Sequence, residues 1–188
     1  LYSMYQPIHA LPYADDLAKY SVDLWPAWME ATLNHGLHEF IAEKDVIEQI
    51  SSMTQIENET SVRVQSQYET HPYPRWLHLS HNTPINYGRA LEQEFPEFRA
   101  PDFFNQGELN VLVAGCGTGQ HAIRVAKYFR NIKVLAIDLS RRSLAYAKMM
   151  AEKHEVTNIE FMQADILKLD SLDSALIMNY IHLIQMIN

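Results

Sequence analysis

Several things are scarce in this chain, and each scarcity excludes something. Among 188 residues there is one cysteine, Cys116, so no internal disulfide can form, as fits a reducing compartment. Basic side chains are few: 15 Lys and Arg stand against 23 Asp and Glu, a formal net charge of −8. That balance argues against a broad phosphate-binding surface and disfavours nucleic acid as a partner. The densest basic group, Arg141-Arg142 with Lys148 and Lys153, has helical spacing and reads as a solvated face. No apolar run is long enough for a membrane span; the longest, Ala175 to Ile187, is interrupted by Asn179, His182 and Gln185. No charged-then-apolar leader opens the chain, so the expected location is cytoplasmic, away from any membrane. His35/His38 and His78/His81 lack a cysteine or carboxylate companion at ligand spacing, so no metal is expected. Nothing repeats at a period of about 34 residues, which excludes a helical-repeat array within the chain.

What is present centres on Val111-Leu112-Val113-Ala114-Gly115-Cys116-Gly117-Thr118-Gly119-Gln120. Four apolar residues without a polar break are the pattern of a strand buried on both faces of a parallel sheet. Three glycines at alternate positions turn the chain, and Gln120 to Ala126 continues with helical spacing. Strand, glycine turn and helix start make a place where a nucleotide-like ligand can meet bare backbone amides. Cys116, inside that turn, reads as a small packed residue rather than a nucleophile.

Two acids add to the pattern. A second apolar run, Ile132 to Ile137, ends on Asp138, and a third, Ile159 to Ala164, ends on Asp165. An acid at the first place can accept both hydroxyl hydrogens of a ribose, and at the second it can meet the amine of an adenine. Either aspartate alone could merely cap the element that follows it; the two at consecutive strand ends argue for a site. Nicotinamide-binding turns favour G-x-G-x-x-G, which would need glycine where this chain has Gln120, so that cofactor is disfavoured.

The G-x-G-x-G turn with its two acids resembles motif I of the class I S-adenosylmethionine-dependent methyltransferases, with Asp138 and Asp165 at that family's ribose and adenine positions. The resemblance implies an α/β, Rossmann-like fold with S-adenosyl-L-methionine as cofactor. It places Ala114, Gly115, Cys116, Gly117, Gly119, Asp138, Leu139, Asp165 and Ile166 around that cofactor. The family often has an acid where this chain has Val113, which removes one polar support for the methionine end. A second stretch, Tyr68-Glu69-Thr70-His71-Pro72-Tyr73-Pro74-Arg75-Trp76, is similar to one found before motif I in bacterial methyltransferases that carry tetratricopeptide repeats. Those proteins share the Leu1-Tyr2-Ser3-Met4-Tyr5 type of opening and the A-G-C-G-T-G-Q form of the turn, so the likeness runs roughly from residue 1 to 170. It implies repeats before Leu1 that recruit a partner, and the start at Leu1 rather than at a methionine reads as a chain excised from something longer. Two readings of the segment stand side by side: a rigid connector whose aromatics seal a core, or a cover that brings Tyr73 and Arg75 to the cofactor's methionine end.

The expected organisation is an N-terminal helical extension over 1–100 and a partial cofactor-binding domain over 101–188. Within the extension, Asp23 is expected to cap a helix over 24–33 that Gly36 ends, with a second helix over 37–50. Asn58 is expected to cap a third, which stops before His71-Pro72, and Thr83-Pro84 to begin a fourth that ends at Pro96. Ser140 is expected to cap Arg141 to His154, with Leu144, Ala147, Met150 and Ala151 facing inward. A fourth strand is expected over Ala175 to Asn179, after which the family's fifth, sixth and seventh strands have no counterpart. That C-terminal incompleteness leaves an uncovered sheet edge, open to self-association or to another chain. Two functions follow: methyl transfer to a protein or small-molecule acceptor, with no catalytic base assignable, or cofactor binding without turnover.

Overall fold

The computed structural model describes residues 6–80, 83–104, 107–171 and 180–184, and the chain divides into two compact units, 1–49 and 50–188.

The first unit is a set of short helical turns. After a turn at Ile8–Ala10 come α1 (Ala14–Leu17), two 3-10 turns at Val22–Leu24 and Ala27–Met29, α2 (Glu30–Leu33), a π-helical turn at Asn34–His38 and α3 (Glu39–Glu48). The expected single helix over 24–33 is broken because Trp25, preceding Pro26, is held extended at φ −104°, ψ 155°. Asp23 lies inside the first 3-10 turn, which starts after Ser21. Gly36 does not end the helix either. Leu33 and Leu37, one turn apart, are both buried with Ala14 and carry the helical path across it.

The second unit is an α/β layer structure. Strands β1 (Leu109–Ala114), β2 (Ile132–Asp138), β3 (Ile159–Gln163) and β4 (Tyr180–Ile184) form a parallel sheet in the order β3-β2-β1-β4. Val111 stands beside Val134 on one side and Ile181 on the other. The expected strand over Ala175 to Asn179 lies outside the described residues; the strand beside β1 is Tyr180–Ile184. Helices α6 (Gln120–Tyr128) and α7 (Arg141–Lys153) make the two crossovers, after α4 (Glu59–Thr70) and α5 (Tyr87–Glu94). Val111, Val113, Val134, Ala136 and Phe161 pack with Ile123 and Ala126 of α6 and Leu144, Ala147 and Met150 of α7. Leu112, Ala114, Leu135 and Ile137 form a second cluster with Ala164 and Met53. Strands loaded on both faces are why Val111–Ala114 and Val134–Ile137 read as unbroken apolar runs. This is an α/β, Rossmann-like arrangement of parallel sheet and flanking helices, preceded in the chain by a helical region.

The caps show how local chemistry sets element boundaries. The Asn58 side chain accepts from the amides of Thr60 and Ser61, and that of Ser140 accepts from Ser143 at 3.0 Å. Helix α5 begins at Tyr87 rather than at Thr83-Pro84. Asn86 caps it through Gly88, and Ile85 instead bridges to the end of α6, its amide 3.0 Å from the Tyr128 carbonyl. At the outer edge of β3, Gln163 donates to the Ser51 carbonyl and Met53 donates to the Gln163 carbonyl, both at 2.8 Å. The compact unit containing the sheet starts at Ile50.

Two glycines of the turn carry different constraints. Gly119 has φ +80°, and a Cβ there would lie 2.5 Å from that of Ala147; Gly117 has φ +53° with nothing within 4 Å of a Cβ. Gly119→Ala should therefore lose about 2–4 kcal/mol through overpacking and left-handed strain together, and Gly117→Ala about 1–2 kcal/mol through strain alone. Urea unfolding of the two variants checks the order; equal losses would refute the packing role of Gly119.

Candidate functional site

The glycine turn is fixed to its neighbour strand before any ligand is considered. The amides of Gly115 and Cys116 both donate to the Ile137 carbonyl, at 2.9 and 3.0 Å, and Gly119 donates to the Cys116 carbonyl at 2.9 Å. Gly115, Gly117 and Gly119 all have positive φ, which only glycine adopts without strain. Ala114 and Cys116 are buried at the root of the turn. Burial, with the Asp138 charge beside it, pushes the Cys116 thiol well above its usual range, so it packs as a small apolar residue. Val113 is fully buried among the helix-facing core residues.

Asp138 joins three segments. Its Oδ2 accepts from the Gly117 amide at 2.8 Å, its Oδ1 accepts from the Ser140 amide at 3.0 Å, and its carbonyl accepts from Ala164 at 3.0 Å. The residue is 8% exposed. Burial raises its carboxyl pKa, and the amides of Ser140, Gly117 and Leu139 pull the other way. Half-buried Leu139 presents its carbonyl to Gln163 Nε2 at 2.8 Å, which ties the loop after β2 to the end of β3.

Asp165 is 2% exposed and has two unlike oxygens. Oδ1 accepts from Leu167 at 3.0 Å, capping a 3-10 turn over Ile166–Ser171. Oδ2 is buried and has no hydrogen-bond partner among the described residues. Such an atom costs stability unless a donor meets it, and a ligand amine would be one. The side chain is thus a cap with an acceptor to spare. Ile166 beside it is 38% exposed, unusual for an isoleucine flanking a buried acid. Together with the open space over Gly117, these features match an adenosine-bearing ligand lying across the carboxyl ends of β1, β2 and β3.

The Tyr68–Trp76 segment meets the turn directly. Thr118 Oγ1 donates to the Pro74 carbonyl, and Trp76 Nε1 donates to the Thr118 carbonyl at 2.9 Å. Trp76 is buried, stacked on His154 at 5.6 Å and edge-on to Tyr146, whose hydroxyl donates to the Trp76 carbonyl. Tyr73 and Arg75 flank the bonded Pro74. Tyr73 is 76% exposed, and the Arg75 guanidinium lies 4.6 Å above the Tyr146 ring.

Two contributors escape sequence reading. Glu69 accepts from the first amides of α7, Arg141 at 2.6 Å and Arg142 at 3.3 Å, while Arg142 returns bonds to the carbonyls of Glu69 and Thr70. The acid of the Tyr68-Glu69 pair was its only trace. Thr54 accepts from the Asp165 amide at 2.7 Å and left no trace at all. A separate cavity of about 240 Å³ bordered by Asn110, Lys133, Leu135 and Glu160 opens at the amino ends of the strands, away from this chemistry. Among the described residues no group of His, Cys, Asp and Glu could hold a metal, and no helix is long and apolar enough to cross a membrane.

Comparison with known proteins points the same way. Residues 105–188 match the model of a methyltransferase domain. A protein of Geobacillus sp. (strain WCH70) named as a methyltransferase is 38% identical over 82 residues, covering 44% of this chain and 32% of its own length. The tRNA (guanine-N(7)-)-methyltransferase of Rubrobacter xylanophilus is 32% identical over 100 residues, covering 50% of this chain and 45% of its own. The chain therefore spans less than half the length of either relative. Among solved structures, EvdMO1 aligns over 70% of this chain and 30% of its own, at 20% identity and a TM-score of 0.38.

The raised pKa of Asp138 fixes the sign of a pH effect. The native state holds that proton more tightly than the unfolded chain, so the contribution to stability is full below the ordinary value of 3.8 and declines as pH climbs through the higher native value. Relative to Asp138→Asn, which cannot titrate, the wild type should lose stability as pH rises from 3.8 through that window. Parallel denaturant titrations measure the difference. A difference that grows with pH would mean the backbone amides outweigh burial.

Proposed function

We propose that the chain binds S-adenosylmethionine and transfers its methyl group to an acceptor, a reading supported by the match of residues 105–188 to a methyltransferase domain. The observation that carries this reading is the buried Asp165 Oδ2, without a partner among the described residues, one loop away from an Asp138 bonded to the glycine turn. The cofactor supplies a methyl group already activated on its sulfonium, so the protein's work is alignment and exclusion of water. The backbone of Ala114 to Gly119 receives the methionine end, with Gly117 at the closest approach. Asp138 accepts from the ribose hydroxyls with the lone pairs that Gly117 and Ser140 leave. Adenine lies between Leu139 and Ile166, its amine donating to Asp165.

Arg75 or Tyr73 takes the methionine carboxylate, a role open because Val113 is apolar and buried. The Arg75 stack on Tyr146 supports the competing reading of a structural connector, and the variant below separates the two. Residues 101–188 form the cofactor-binding domain, with 50–100 as the part of the helical extension built into it. The Tyr68–Trp76 motif supports kinship with the tetratricopeptide-repeat-associated branch, a cytoplasmic protein whose repeats recruit a partner. The net charge of −8 favours a protein or small-molecule acceptor over nucleic acid. Strand β4 is paired on one side only among the described residues, an edge through which two copies could associate.

The test is calorimetry of the chain with S-adenosylmethionine, S-adenosylhomocysteine and NAD, in which the first two bind and NAD does not; binding of NAD alone would overturn the reading. Binding of the first two without methyl transfer to any acceptor would leave the chain a cofactor-binding fragment. Asp138→Ala should weaken S-adenosylmethionine about tenfold or more, as expected for a lost charged acceptor of about 1.5–3 kcal/mol. Arg75→Met should weaken S-adenosylmethionine more than adenosine, whereas an equal loss for both ligands would make Arg75 part of the connector.

A further inference from the structure

The stretch before α4 touches the Asp165 loop at three levels. Ser51 to Met53 lie parallel to the end of β3 and exchange backbone bonds with Gln163. Met53 packs into the cluster of Leu112, Leu135 and Ala164. Beyond Asp165, the Glu57 carboxylate meets Lys168 Nζ at 3.0 Å on the 3-10 turn. Between these two attachments Thr54 Oγ1 accepts the Asp165 amide at 2.7 Å, and Ser52 Oγ holds the Thr54 carbonyl at 2.9 Å.

An aspartate side chain has only two torsions, so its carboxylate points where its backbone sends it. At Asp165 one oxygen is engaged in the cap and the other is buried without a partner among the described residues, so the direction of that second oxygen depends on the loop being held still. Thr54 supplies the bond that holds the Asp165 amide, from a segment remote in sequence. We propose that Thr54 is a positioning residue for base selection: by fixing the Asp165 backbone it aims Oδ2 at the exocyclic amine of adenine and against the carbonyl of a hypoxanthine. The inference rests on the adenine role given to Asp165 above.

The experiment compares binding of S-adenosylhomocysteine and S-inosylhomocysteine to the full chain and to its Thr54→Val and Thr54→Ser variants. The wild type should favour the adenine compound about tenfold, the worth of one hydrogen bond to a charged acceptor. Thr54→Val, of the same shape but without the acceptor, should reduce that preference to about threefold or less, and Thr54→Ser should restore it. A wild type that does not distinguish the two compounds would overturn the Asp165 assignment and this inference with it. A wild type that distinguishes them, with Thr54→Val distinguishing them equally well, would leave Asp165 in place and remove Thr54. Amide exchange of the wild type gives a second readout should the valine variant not fold. The adenine compound should protect the Asp165 amide more than the inosine compound does, and equal protection would count against the inference.

Discussion

Asp138 bonds to the Gly117 amide with one oxygen and to the Ser140 amide with the other, and everything at the carboxyl edge of the sheet is placed relative to it. The first bond draws the glycine turn toward β2; the second sets the chain direction entering α7. Its carbonyl meanwhile receives the Ala164 amide, so the start of the loop after β3 is registered to the same residue. Three successive loops thus share one buried acid. Its desolvation is offset only in part by the amides of Ser140, Gly117 and Leu139, and each oxygen keeps a lone pair for a ligand.

Around this centre, residues 51–76 brace the turn and the loops beside it. The Pro74 carbonyl and the Trp76 indole grip Thr118 from both sides of its peptide, and Glu69 satisfies the first amides of α7. A negative side chain at a helix start is favourable in itself, since it meets unpaired N–H groups and the positive end of the helix. The residues from Tyr68 to Trp76 therefore stabilise the turn and the second crossover helix together. Ser51 to Thr54 do the same for the third loop.

What was legible in the sequence was what is decided locally or by period. Strands β1 and β2 declared themselves as apolar runs because both faces are loaded, and Asn58 and Ser140 as caps because a cap acts within three residues. Gly36 and Thr83-Pro84 misled for the complementary reason: a local signal was overruled by packing of Leu33 with Leu37 and by the bridge from Ile85 to the end of α6. At the candidate site the glycine turn and the two acids could be read from spacing. The bonds from Glu69 and Thr54 could not, since each joins residues far apart in sequence and nothing in a lone Thr or Glu says what it will face.

The close approach of Gly119 to Ala147 makes those two positions a steric pair. Between Gly119, which caps α6, and Ala147 of α7 there is room for the one methyl already present but not for a second. Removing the methyl at 147 would lift the closest clash of a methyl at 119 and leave the Ala147 Cα at 3.3 Å, so a change at 119 is conditional on the residue at 147. The motif's third glycine is thereby bound to a helix residue that no motif contains, and a pattern scored one residue at a time would miss that dependence.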